Sequence, residues 1–451
     1  MSNPSPPRAA LPTQPPVPFT GVDLLRNPSQ EQLRSLALAH TPYCSETALG
    51  NINKIARNKA RMAAFTYIID REGEPEVYSH KTIDPERAAA LIASQAEYVR
   101  RQGALIAIEA YVGLGPRAVP VQWLYTREAA NIAGMQQILS FPRDQVETPE
   151  QLAAPFQPAF RLVYTPDHFV DMPGRQAIIV DLDNYVTYIM GPDYFGESKK
   201  GALRMLAALI YKRGGLVMHA GAKAIHHGGR DLTMGILGLS GTGKTTTTFS
   251  KQGELTRPIQ DDMIALWPGG EVSVTENGCF AKTFGLTEEA EPVIYRGTTS
   301  PSAWIENVYV DERGQPDFFK RLLAPAEVAR LRDVLVGTGA PATNVDAYIR
   351  GDVAPDAIVE DGIPKDGWDF VAWTENGRSI IPMRAVENAA DLHDIAPLHS
   401  LGILNRDEGR DAAAVAGAGA GAGERGLGVV HGAGSDDPQP DPHAADAPNG
   451  R

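Results

Sequence analysis

The sequence predicts an α/β protein, and three observations carry that prediction. Apolar runs that read as buried strands alternate with segments whose apolar residues recur at helical spacing. A glycine-rich turn, "ILGLSGTGKTTTTFS" at 236–250, stands between a strand-like and a helix-like segment. The composition, 43% hydrophobic and 22% charged over 451 residues, is that of a globular chain with room for two or three domains and sizeable cores.

Taken along the chain, residues 1–20 are rich in proline and residues 411–451 in alanine, glycine, aspartate and proline. Both have few large apolar side chains to offset the entropy of ordering, and both are expected to be disordered tails. Between them "GALIAIEAYVG" (103–113), "QAIIVDL" (176–182) and "YVTYIMG" (185–191) read as strands. "TREAANIAGMQQILSF" (126–141) and "KKGALRMLAALIYK" (199–212) read as helices. The expected division is an N-terminal lobe over 21–205 and a second lobe over 206–400 that contains the glycine-rich turn, with a ligand cleft between them.

Several function classes are disfavoured. The net charge of −13 argues against a phosphate-backbone partner, which calls for a concentrated basic face. No apolar run reaches membrane-spanning length, and the N-terminus lacks a positive start followed by an apolar stretch, so neither a membrane nor secretion is expected and the cytoplasm is the expected location. Cys44 and Cys279 are too few for a disulfide framework and are expected to be free thiols.

The glycine-rich turn carries the chemistry. Gly238, Gly243, Lys244 and Thr245 fit G-x-x-x-x-G-K-[ST]. "DLTMGILGL" before them is strand-like, and "TTTTFS" after them can open a helix. In that order the backbone N–H groups of Ser240, Gly241, Thr242 and Gly243 face phosphates, Lys244 neutralises β and γ oxygens, and the Thr245 hydroxyl can meet a divalent cation. Such a loop binds ATP without specifying the reaction. Downstream, "RPIQDDMIALW" puts Asp261 and Asp262 after a strand-like stretch, a usual means of holding Mg²⁺ or Mn²⁺. Upstream, "GGLVMHAGAKA" offers His219, which is either a ligand for a transition metal such as Mn²⁺ or a structural histidine.

Five motifs in this order, "YFGESKKG", "MHAGAK", "GLSGTGKTT", "QDDMIALW" and "NGCFAKTFGLTEEAEPVIY", resemble ATP-dependent phosphoenolpyruvate carboxykinase, with a weaker match at "NGRSIIPMRAVE". The resemblance implies a two-lobe α/β fold whose C-terminal lobe holds ATP in the phosphate loop. Closure of that fold aligns ATP, two divalent cations and substrate. It also implies site residues: Lys200, His219 and Asp262 as Mn²⁺ ligands, and Lys244 and Thr245, with Thr246 beside them, on the ATP phosphates and the second metal. Tyr194 contacts substrate, and Lys282, Glu291 and Arg378 contact the nucleotide. A lysine ligand must be neutral, since an ammonium has no lone pair, and this requires a lowered pKa. Singly, each residue has a plain structural reading: Lys199 and Lys200 as a solvated helix start, Tyr194 as a core aromatic, Glu291 as a surface carboxylate.

The acceptor side departs from the family. Its glycine-arginine-serine-proline motif is "ARNKAR" here, which keeps Arg57 alone. Its second substrate arginine, in an asparagine-threonine-arginine-valine stretch, becomes Asn344 in "PATNVDAY". Losing one preorganised donor to an enolate typically costs about 3 to 4 kcal/mol in the transition state. The expectation is therefore an ATP- and metal-dependent phosphotransferase, a small-molecule kinase that uses the carboxykinase scaffold on an altered acceptor. The alternatives are an active carboxykinase, with Arg57 and an arginine such as Arg350 compensating, and a nucleotide-binding regulator. The expected partner is a small-molecule phosphate acceptor.

Overall fold

The computed structural model describes residues 11, 17 and 19–404, without 59–62, 71–80, 239–243, 250–254, 321–327, 330–331, 334–335, 337–340, 351–373 and 387. The C-terminal segment 411–451 and most of 1–20 therefore lie outside the described residues, as do Ser240, Gly241, Thr242 and Gly243.

Strand-forming runs assemble first into a nine-stranded mixed sheet. Its path runs Asp23–Arg26, Ala104–Val112, Val119–Tyr125, Phe160–Thr165, Val186–Met190, Ala177–Asp181, Thr66–Ile69 and Lys81–Ile83, with Phe141–Pro142 beside the second. Ala104–Val112 and Val119–Tyr125 are antiparallel, whereas Phe160–Thr165 and Val186–Met190 are parallel. All three runs read as strands in the sequence are strands of this sheet. Those strands are buried almost throughout, which is why they read as continuous apolar runs rather than alternating ones.

Helices cover the sheet. Pro85–Gln102 starts on an Asp84 cap that accepts from the N–H of Glu86 at 2.9 Å and of Arg87 at 3.0 Å, and it ends at Gly103 with φ of 73°. Phe195–Lys212 buries Ala202, Leu203, Leu206, Leu209 and Ile210, each large apolar side chain contributing about 1.5–3 kcal/mol. Gly201 lets it approach the sheet, because a Cβ there would stand 2.6 Å from Leu162 Cδ2. Ala130–Leu139 is buried on nearly every side and packs by Gly134 against Trp304.

The later part of the chain forms smaller sheets. Thr256–Gln260, Ala220–His227, Arg230–Gly238 and Leu398–Leu404 make one of four strands. Leu216–Met218, Ile264–Leu266 and Val272–Val274 make one of three. The five-stranded sheet runs Gly278–Lys282, Arg378–Pro382, Trp304–Glu306, Ile52–Lys54 and Cys44–Glu46. Two strands from the first sixty residues thus complete a sheet of the later part, and helix Phe195–Lys212 runs across position 205 without interruption. A separate core of Phe249, Cys279, Leu286, Ile294, Ile305 and Ile381 lies against this sheet. Cys44 and Cys279 are free.

Candidate active site

The glycine-rich turn is flanked as its sequence suggests: strand Arg230–Gly238 enters it and helix Lys244–Phe249 leaves it. The helix rests on strand Ala220–His227 at Gly221, where a Cβ would collide with Thr248 Oγ1 and approach the Asp261 carbonyl oxygen to 2.9 Å. Lys223 ties the same pair together by donating to the Thr247 carbonyl at 2.6 Å. Lys244 is buried and donates to the Gly238 carbonyl at 2.5 Å. Burial lowers its proton affinity.

Asp262 is the hub of the site. It follows strand Thr256–Gln260, and its carboxylate meets three cation-forming side chains from two other segments. Oδ2 lies 2.8 Å from Lys200 Nζ and 2.9 Å from Lys199 Nζ, and Oδ1 lies 2.7 Å from His219 Nε2. Lys199 also reaches Glu276 Oε1 at 2.9 Å. Burial opposes ionisation of Asp262, but Lys199, the His219 hydrogen bond and Lys200 outweigh it and hold the carboxyl well below its usual range. The two lysines diverge. For Lys199 two carboxylates outweigh burial and raise its pKa, whereas for Lys200 burial wins, with Lys199 adding repulsion, and its pKa falls.

That divergence is what a lysine ligand needs. Among the described residues no three histidine, cysteine, aspartate or glutamate side chains gather to hold a metal. Lys200, His219 and Asp262 converge, and the His219 side chain is 56% exposed, which leaves the cluster open to an incoming ligand. Asp261 points elsewhere: burial and Asp262 push its carboxyl up to about 6, against a hydrogen bond with Thr245 that lowers it. Asp261 thus joins the helix after the turn, and Asp262 joins the lysines and histidine.

The expected nucleotide contacts also assemble. Lys282 and Arg378 are antiparallel neighbours in the five-stranded sheet, and Thr246 Oγ1 donates to Glu291 Oε1. Arg378 lies over the Phe280 ring, 5.4 Å from its centroid.

On the acceptor side, Arg57 is firmly engaged. Nη1 pairs with Asp167 Oδ1 at 2.7 Å, Nη2 donates to the Pro166 carbonyl at 2.6 Å, and Nε lies 3.8 Å from Asp193 Oδ2. Lys54 meets the same Asp193 carboxylate at 3.1 Å. Asn58, where the family has serine, exchanges reciprocal hydrogen bonds with Asp193: its N–H donates to Oδ1 at 3.2 Å, and its Oδ1 accepts from the Asp193 N–H at 3.1 Å. The Tyr194 hydroxyl accepts from Arg378 Nε and from Asn376 Nδ2, each at 3.3 Å. Gly196 makes room for that ring, since a Cβ would stand 2.5 Å from Tyr194 Cε1. Asn344 sits on helix Ala342–Ile349, whose Asp346 pairs with Arg332, and the exposed Arg350 follows it near Asp346.

Several members of this arrangement escape a reading of the sequence. Lys199 is 4% exposed, not a solvated helix start, and its only local signal is that it adjoins Lys200. Glu276, between strands Val272–Val274 and Gly278–Lys282, and Glu306, at the end of Trp304–Glu306, are buried carboxylates, Glu306 accepting from the Phe195 N–H at 3.1 Å. Burial pushes the Glu306 carboxyl up to about 8.

A family profile described as "Phosphoenolpyruvate carboxykinase" matches residues 22–326. Proteins named "Phosphoenolpyruvate carboxykinase (ATP)" from Rhizobium rhizogenes and Rhizobium etli are 35% and 36% identical over 184 and 185 residues, covering 39% and 40% of this chain. One of the same name from Chelativorans sp. is 40% identical over 141 residues, 31% of this chain and 25% of its own length. The chain spans about a third of the length of the two Rhizobium relatives, 33% in each case. Among the described residues no helix is long and apolar enough to cross a membrane.

Proposed function

Because this chain belongs to the ATP-dependent phosphoenolpyruvate carboxykinase family, we propose that it transfers the γ-phosphoryl of ATP with divalent-cation assistance, and that its reaction converts oxaloacetate to phosphoenolpyruvate. The observation that carries this reading is the Asp262 carboxylate shared by Lys199, Lys200 and His219, beside a buried Lys244 at the phosphate turn. The names of the relatives favour the carboxykinase reaction over a kinase on an altered acceptor.

In this reading residues 206–400 supply the nucleotide side and residues 21–205 the acceptor side. Lys200, His219 and Asp262 would hold Mn²⁺, and Thr245 would meet Mg²⁺ at the phosphates. When bound, both ions would supply positive charge to the oxygens on which negative charge develops. Lys244 pairs with the transferring phosphoryl, and Lys282, Thr246, Glu291 and Arg378 seat the nucleotide. The carbon–carbon bond to the departing carboxylate breaks, carbon dioxide leaves, and the electron pair stays as an enolate. The enolate oxygen attacks the γ-phosphorus as the bond to ADP opens. Arg57 and Tyr194 orient the substrate, with Asp193 and Asp167 holding Arg57 in place.

A second reading, a small-molecule kinase, is favoured by one observation. Asn344 stands where the family has its second substrate arginine, and an amide supplies no positive charge to a developing enolate. One experiment separates the readings: the full chain with ATP, Mg²⁺ and Mn²⁺ is offered oxaloacetate or a panel of hydroxyl compounds, and ADP, carbon dioxide and phosphorylated product are measured. Phosphoenolpyruvate equal to ADP, at about 1 to 1000 turnovers per second, supports the carboxykinase. ADP formed only with a hydroxyl acceptor supports the kinase. Tight ATP binding with no ADP from any acceptor overturns both.

A further inference from the structure

Asn376 lies at the end of the short turn Thr374–Asn376, just before strand Arg378–Pro382. The residue after it, Gly377, is held on both sides. The Gly377 N–H donates to the Thr374 carbonyl at 2.8 Å, and the Gly377 carbonyl accepts from the Thr283 N–H at 3.0 Å. A Cβ on Gly377 would collide with Thr283 Oγ1 and stand 3.2 Å from the Asn307 carbonyl oxygen. The turn is thus pressed between the ends of two other segments.

An asparagine in a tight turn commonly bonds its own backbone. Asn376 turns both ends of its amide toward two site residues from different places in the sequence. Oδ1 accepts from Arg378 Nη2 at 2.7 Å, and Nδ2 donates to the Tyr194 hydroxyl at 3.3 Å. The orientation of the amide is dictated by chemistry: a guanidinium has no acceptor, so the oxygen must face Arg378 and the NH₂ must face the phenol. Arg378 Nε closes the ring onto the same hydroxyl at 3.3 Å. Phe280 supports the group from below, with Arg378 over its ring, Tyr194 6.0 Å away and Phe195 packed edge-on at 5.0 Å.

We propose that Asn376 is a positioning residue that couples the nucleotide arm, Arg378, to the acceptor arm, Tyr194, so that ordering one orders the other. This rests on the reading of Arg378 as a nucleotide contact and Tyr194 as an acceptor contact. Tyr194 begins helix Phe195–Lys212, which carries Lys199 and Lys200, so the ring also ties the nucleotide sheet to the segment that supplies the Asp262 cluster.

The test is a double-mutant cycle on the full chain. ADP affinity is measured by calorimetry for the wild type, Asn376→Ala, Tyr194→Phe and the double variant, with melting curves to confirm folding. Asn376→Ala is expected to weaken ADP binding about 3- to 10-fold, Tyr194→Phe to weaken it although the phenol makes no nucleotide contact, and the double variant to fall short of the product of the two. Independent effects, or an ADP affinity unchanged by Asn376→Ala in a folded protein, would overturn the coupling. A wild type that binds ADP but turns over no acceptor would overturn the proposed reaction while the cycle still reads the coupling. A wild type that does not bind ADP would overturn both.

Discussion

Lys199 and Lys200, adjacent in the chain, meet the same oxygen of Asp262 at 2.9 and 2.8 Å and yet are driven to opposite proton affinities. Lys199 contacts a second carboxylate, Glu276, and stays charged, whereas for Lys200 burial outweighs its carboxylates and Lys199 adds repulsion. One lysine is thus a counter-ion for two carboxylates, the buried Glu276 and the half-buried Asp262, and the other is a candidate ligand.

The two should separate experimentally. Lys199→Ala leaves the buried Glu276 without the cation that it shares with Asp262 and is expected to destabilise the fold by about 3–5 kcal/mol. Lys200→Ala is expected to cost activity far more than stability. Chemical denaturation beside turnover measurements checks the contrast, and equal stability losses would contradict it.

His219 is the exposed member of the cluster. His219→Gln is expected to raise the Mn²⁺ concentration needed for half-maximal activity about tenfold or more, as loss of a metal ligand or its support does, with ADP affinity nearly unchanged. An unaltered Mn²⁺ titration would return His219 to a structural role.

Glu306 makes stability depend on pH. Its folded-state pKa of about 8 stands above the ordinary 4.5, so the folded protein keeps a proton that the unfolded chain has lost. The stabilisation from the neutral carboxyl is complete below about 4.5, and it is lost as pH rises to about 8, at about 1.4 kcal/mol for each pH unit between. Glu306→Gln, which keeps an acceptor for the Phe195 N–H, should flatten the decline in unfolding free energy between pH 5 and pH 8. Parallel pH profiles for the two proteins would refute the assignment.

Gly221 is the point at which helix Lys244–Phe249 rests on its strand. Gly221→Ala should displace that helix, at a cost of about 1–3 kcal/mol, and weaken ADP binding by moving Lys244 and Thr245. Calorimetry on the folded variant checks this; full ADP affinity would show that the helix tolerates the extra methyl group.

By itself the sequence determined the α/β class, the strands 104–112, 177–181 and 186–190, the strand–turn–helix order around Lys244, and the family. Each of these depends on local periodicity or on motifs in order, which need no knowledge of distant neighbours. The tertiary structure alone decided that Lys199 shares the Asp262 carboxylate and joins it to Glu276, and that Asn376 meets Tyr194, 182 positions away. No periodicity links residues so separated. It also decided that Lys199 is buried, that Arg57 is pinned by Asp167 and Asp193, and that the strands from residues 44–54 belong to the sheet bearing Arg378. The physical reason is that burial and ion pairing are set by what packs around a side chain. In this site those neighbours arrive from four or five distant segments at once.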